Sequence, residues 1–99
     1  MECDVQILDR VVAFIESLDY SNQAKIMAAI RVMKSGDFET VYTKQLAGPI
    51  RELKVKQYRL LYFIHKHTMY FVGGFTKKST KTPKQEIENA QQLYKLIIK

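Results

Sequence analysis

Two cations five residues apart, Lys54 and Arg59, and the later lysines Lys77, Lys78 and Lys81 are the side chains in this 99-residue chain best suited to chemistry. Ammonium and guanidinium groups stabilise the negative charge that builds on a phosphate as a phosphodiester is cleaved. Arginine adds a planar fork that holds two phosphate oxygens, which lysine does not reproduce. Glu52, two residues before Lys54, is either a general base or a carboxylate that neutralises and orients its neighbour, and the second reading is favoured. His65 and His67 form an HxH pair, but Cys3 is the only cysteine and no third histidine exists to complete a metal set. They read as surface histidines, with no metal and no cofactor expected. Gly73-Gly74 ends an apolar run and leads into a polar loop, so it is not the glycine-rich phosphate loop that opens a helix.

On charge alone, a solvated strand edge explains these lysines as well as a site does. The elements around them tip the balance. Residues 50–55, 58–64 and 68–75 are rich in β-branched and aromatic residues and read as three consecutive strands. If Lys56-Gln57 is a two-residue hairpin loop, Val55 opposes Tyr58 and Lys54 opposes Arg59 on one face. If the second hairpin turns about Lys66-His67, Arg59 lies beside Gly74. One face then carries Glu52, Lys54 and Arg59 next to a glycine gap. The other carries Leu53, Val55, Tyr58, Leu60, Tyr62, Ile64, Met69, Phe71 and Phe75 as a core face. Like charges directly opposed are destabilising, so an anion is expected between them. Arg59 lies off the core face in this register, and its removal is expected to leave the fold largely intact.

The remaining elements supply that core with a cover. Residues 2–8 are compatible with a short edge strand. Val11, Phe14, Ile15 and Leu18 predict a first helix over about 9–18. Asp19-Tyr20-Ser21-Asn22 is a break rich in capping residues. It is followed by a second helix with Ile26, Ala29, Ile30 and Met33 on one stripe and Gly36 as its stop. Residues 37–49 read as a connector with Phe38 and Val41 turned inward and Gly48-Pro49 leading into the first long strand. Thr82-Pro83-Lys84-Gln85 reads as a helix start with Thr82 as cap. The helix carries Ile87, Ala90, Tyr94 and Ile97 on one side, and its positive end faces the lysine loop.

Composition is that of one globular domain spanning 1–99, with 46% apolar residues. Charge is placed unevenly. Residues 1–50 hold five Lys/Arg against seven Asp/Glu, whereas residues 51–99 hold eleven against three. A basic half that coincides with the strands and their exit loop points to a polyanionic partner, nucleic acid first. A single cysteine excludes an intrachain disulfide and fits a reducing compartment. Cys3 reads as a small thiol near the N-terminus rather than a nucleophile. No apolar run approaches membrane-spanning length, and the expected location is the cytoplasm.

Several motifs recur in order. They are Lys44-Gln45-Leu46, Glu52-Leu53-Lys54, Tyr58-Arg59-Leu60-Leu61-Tyr62, Phe75-Thr76-Lys77-Lys78, Lys81-Thr82-Pro83 and the later Glu86-x-x-x-Ala90. Together they resemble the RelE/ParE toxin superfamily, and most of all its HigB-like, phage-associated branch. The resemblance implies an α+β, RelE-like fold: two N-terminal helices on a small antiparallel sheet, then a C-terminal helix. It implies the toxin of a type II toxin–antitoxin pair, silenced by a small antitoxin of helix-turn-helix, HigA-like type. It further implies a metal-independent endoribonuclease that cuts messenger RNA on the ribosome, the RNA's own 2′-hydroxyl attacking the adjacent phosphate to leave a cyclic phosphate.

By this resemblance Arg59 matches the phosphate-contacting arginine and Lys54 the basic residue of the preceding strand. Lys77 or Lys78 matches the basic residue after the last strand. Lys81, Lys84, Arg51 and Lys56 are then RNA-binding residues, and Glu52 an orienting one. One departure is visible: RelE carries a tyrosine shortly after the last strand as a proposed general acid, and no tyrosine lies between Phe75 and Tyr94. Lys78 or Lys81 is the available substitute. The alternative within the superfamily is a ParE-like toxin that binds DNA gyrase without doing chemistry.

Overall fold

The computed structural model describes residues 2–98. The chain runs β1 (Asp4–Ile7), α1 (Asp9–Glu16), α2 (Tyr20–Lys34), β2 (Tyr42–Ala47), β3 (Ile50–Val55), β4 (Tyr58–His65), β5 (Thr68–Thr76) and α3 (Lys84–Ile97). The strands form one sheet in the order β1-β5-β4-β3-β2. Four of them make an antiparallel meander, and β1 joins the edge of β5 in parallel, from Asp4 opposite Thr68 to Ile7 opposite Phe71. The result is the expected α+β architecture with two helices before the sheet and one after.

The two hairpin turns form where the polar pairs predict. Lys66 and His67 both take positive φ, as a two-residue hairpin turn of matching twist requires, and Lys56 does so in the first turn. Asp19 caps α2 by accepting a hydrogen bond from the Asn22 backbone N–H at 2.8 Å. Gly36, with φ +90°, stops that helix just beyond its last turn.

Both faces of the sheet are covered. Val11 and Ile15 of α1 and Ile26, Ile30 and Met33 of α2 pack on Leu53, Tyr58, Leu60, Tyr62, Met69 and Phe71. Ala90 of α3, with Leu93, Tyr94 and Ile97, packs on Ile50, Leu61, Phe63 and Val72 of the opposite face. The reason lies in the run of β4 from Tyr58 to Phe63, every residue of which is buried, Arg59 included, and all the others of which are apolar or aromatic. On this face α3 packs at Ile50, Leu61, Phe63 and Val72. The end near the β3–β4 turn stays open.

Several expectations are corrected here. The connector over 37–49 contains β2, which pairs Tyr42 with Lys54 and Lys44 with Glu52. Phe38 is exposed rather than inward, while Val41 packs against the core. Ile64 is exposed. Thr82 does not cap α3, because Pro83 occupies the cap position and the threonine hydroxyl is engaged elsewhere.

The largest correction is one of register. Pairs follow the expected count from His65–Thr68 to Tyr62–Phe71, then shift by one between Leu61 and Tyr62. Val72 is the extra residue of this bulge, and from there on every β5 side chain changes face. Gly74 therefore opposes Leu60 and Phe75 opposes Arg59. The glycine serves α1 instead of a ligand: a Cβ on Gly74 would lie 2.6 Å from Cδ2 of Phe14. Phe75 joins the core beneath α3.

Candidate active site

The open end of the α3 face gathers its side chains from four segments. Lys54 and Arg59 are directly opposed, as their hairpin predicts. Tyr42 and Lys44 come from β2, Glu52 from β3, and Lys77 from the exit of β5, where its backbone N–H donates to the Gln57 carbonyl at 2.7 Å. The bulge is what brings Lys77 to this side. In an unbroken register it would have faced α1 and α2. Tyr42, Thr43, Lys44, Glu52, Lys54, Arg59 and Lys77 line a cleft of about 210 Å³. A shallower hollow runs on from Arg59 and Lys77 to Gln57, Lys78, Ser79 and Thr80. Together they make a groove with Arg59 in its middle.

Arg59 is held rather than free. Only 8% of it is exposed. Its Nη1 donates to the carbonyls of Lys56 at 2.6 Å and Tyr58 at 3.0 Å, which ties the guanidinium to the β3–β4 turn. Its Nε lies 3.9 Å from Oε1 of Glu52. That carboxylate is 3% exposed and also accepts a hydrogen bond from Oγ1 of Thr82 at 2.7 Å. Glu52 is thus committed to orienting Arg59 and anchoring the segment before α3. It relieves the repulsion of the opposed cations through Arg59, where the sequence suggested Lys54. Both Arg59 and Glu52 are buried, so Arg59 also contributes to the fold, contrary to the expectation that it stands apart from it.

Positive charge continues around the rim. Lys56 is exposed in the turn, and the Lys25 side chain of α2 approaches it. The hydrogen-bonding contact with the Lys56 amine, reinforced by its like charge, holds the Lys25 pKa below the ordinary lysine value. Lys78 borders the outer hollow. Lys81 and Lys84 are exposed on the segment leading into α3 and at its first turn. Arg51 is not brought to the site. It faces the other side of the sheet, where its Nε donates to the Tyr62 hydroxyl at 3.4 Å. His65 and His67 lie at the far tip of the β4–β5 hairpin. Among the described residues no group of three or more His, Cys, Asp or Glu side chains is placed to hold a metal ion, and no helix is long and apolar enough to cross a membrane.

Three contributors escaped the sequence reading as site residues. Tyr42 and Lys44 stand on β2, whose alternation of Tyr42, Lys44 and Leu46 with smaller or polar residues was the available signal. Thr82 looked like a helix cap. Its hydroxyl instead fixes Glu52, and Thr82→Val, which keeps the shape and removes the donor, is expected to cost about 1.5–3 kcal/mol. Thr82→Ser should recover most of it. Urea midpoints measure the effect, and a valine variant as stable as the parent would show that this bond does not anchor the start of α3.

Comparison with known proteins bears on this arrangement. The family model described as phage-derived protein Gp49-like (DUF891) matches residues 13–95, nearly the whole span from α1 to α3. The chain belongs to this Gp49-like family. No curated protein matches it in sequence. Among solved structures, the Gp49-like chain is similar to a chain of the archaeal RelE–RelB complex from Pyrococcus horikoshii OT3, with a TM-score of 0.70. That similarity covers 81% of this chain and all of the other at 15% identity. At such identity the likeness is one of fold, and the Gp49-like chain has the RelE fold.

Proposed function

We propose that this Gp49-like protein is the toxin of a toxin–antitoxin pair, of the HigB-like branch. In this reading it is a metal-independent endoribonuclease that cuts messenger RNA on the ribosome and so stops translation. The observation that carries the reading is the half-engaged guanidinium of Arg59. Nη1 is occupied by two carbonyls and Nε faces Glu52, while Arg59 lines both hollows of a groove shared with Lys77, the inner one also with Lys54. A solvated surface arginine needs no such tether. A preorganised phosphate clamp does, because it then reorganises little as charge develops.

The chemistry follows from those positions. The 2′-hydroxyl gives its proton to water as its oxygen bonds to phosphorus, the bond to the 5′-oxygen breaks, and that oxygen takes a proton from Lys78 or Lys81, so that a 2′,3′-cyclic phosphate and a 5′-hydroxyl remain. Arg59 grips the equatorial oxygens. Lys54 and Lys77 stabilise the added negative charge from the two sides of the groove, with Lys78 as the outer cation. Glu52 keeps the guanidinium aligned. Lys56, Lys81 and Lys84 attract the flanking RNA phosphates. A RelE-like fold seen in a RelE–RelB complex supports a small antitoxin as partner, here one of helix-turn-helix, HigA-like type. The basic groove suits acidic or apolar antitoxin segments.

Induced expression followed by mapping of transcript ends tests the reading. Cuts are expected inside codons of translated messages, with untranslated RNA surviving and with growth rescued by the partner antitoxin. Intact messages with broken or relaxed chromosomal DNA would identify a ParE-like gyrase binder instead.

A further inference from the structure

Tyr42 is the aromatic residue of the cleft lining, and 77% of it is exposed. Its ring contributes nothing to either core, yet it stands at the first position of an edge strand directly opposite Lys54. The Lys54 ammonium lies over the ring at 5.8 Å from its centroid, a cation–π contact that restrains both side chains. So high an exposure leaves most of the ring open to solvent. An unpacked aromatic side chain held in place beside three cations is uncommon on a surface whose only task is solubility.

We infer that Tyr42 is a nucleobase platform, on which the base adjoining the scissile phosphate stacks while its phosphate lies between Lys54, Arg59 and Lys77. This deepens the ribonuclease reading and takes its ligand from it. A nucleotide joins an anion to a flat π surface through one sugar. The cleft offers the matching pair, with Arg59 and Lys77 at one end and an open phenol ring at the other. Cations alone accept any polyanion, duplexes included. A ring that must meet the face of a base selects an unstacked strand and is tolerant of sequence. Lys54, itself exposed, meets one face of the ring, and the base takes the other.

The test is single-turnover cleavage on ribosomes programmed with a defined message, using the parent protein, Tyr42→Ala and Tyr42→Phe. Loss of the platform should slow cleavage or weaken binding by about 5- to 150-fold, the range of base–aromatic stacking. Phenylalanine should stay within about twofold, because the face and not the hydroxyl is used. Messages carrying an abasic nucleotide at one codon position at a time locate the stacked base. At that position the parent should lose as much as Tyr42→Ala does, and the alanine variant should lose nothing more. Additive losses at every position would overturn the platform, as would an alanine variant equal to the parent. A phenylalanine variant as defective as alanine would also overturn it and make the phenol a proton donor. Anisotropy of a labelled single-stranded RNA separates the two readings. Weaker binding by Tyr42→Ala from a parent that cuts nothing keeps the platform and removes the ribonuclease. A cutting parent whose binding ignores Tyr42 does the reverse.

Discussion

Arg59→Ala is expected to lower message cleavage about a hundred- to a thousandfold, which corresponds to roughly 2.7–4 kcal/mol of lost charge stabilisation. Arg59→Lys should remain well below the parent. A single ammonium keeps the charge but cannot hold the Lys56 and Tyr58 carbonyls and still present a fork to phosphate. The same substitutions disturb the fold, because Glu52 is buried and loses its cationic neighbour. Leaving a buried charged group short of a partner costs at least about 1–3 kcal/mol, the range for a neutral polar group. The two effects separate in Arg59→Ala/Glu52→Gln. A neutral amide no longer needs the guanidinium, so the double variant should regain stability in urea while cleavage stays lost. Recovery of both would show that Arg59 is a structural residue and would remove the phosphate clamp.

Phe63→Ala should be the most damaging change to the fold. The ring is fully buried, stacked 5.0 Å from Tyr70 and edge-on to Tyr94 of α3 at 4.8 Å. Truncating a buried phenylalanine typically costs about 3–5 kcal/mol. In a domain near 100 residues each kcal/mol lowers the melting temperature by roughly 4–8 °C. Phe63→Leu, which leaves a smaller cavity, should keep more than half of that stability. Undocking of α3 also frees Thr82 from Glu52, so partial destabilisation should reach the site: Glu52 and Arg59 should lose order before the α1–α2 face does. Thermal melts together with amide exchange of α3 and of the β3–β4 turn measure both parts. A loss under about 1 kcal/mol would mean that α3 is held mainly by its other contacts.

Where local chemistry decides structure, the chain could be read directly. The polar pairs Lys56-Gln57 and Lys66-His67 set two hairpins, and a two-residue turn leaves no freedom in which residues oppose each other near it. Hence Lys54 and Arg59 stand face to face, as their five-residue separation says. The apolar stripes of α1 and α2, the Asp19 cap and the Gly36 stop are likewise local, and each formed as its residues require. The motifs from Lys44 to Ala90 carried the resemblance, and the RelE fold is present.

Long-range packing decided the rest. Gly73-Gly74 beside Val72 permit a bulge, as glycines within a strand often do, but only the paired sheet shows where the register slips. Beyond it every side chain exchanges faces, which moves Gly74 under Phe14 and turns Lys77 to Arg59. β2 gains its conformation from pairing with β3, so its polar residues read as a connector until the partner strand is in place. Thr82 has the chemistry of a cap, and only the docking of α3 reveals that its hydroxyl meets Glu52. The sequence by itself determined the opposed cations, the helices and the two turns, since each depends on neighbours within a few residues. The tertiary structure alone decided which further groups join those cations, because the face a strand residue occupies depends on every register shift between it and the turn.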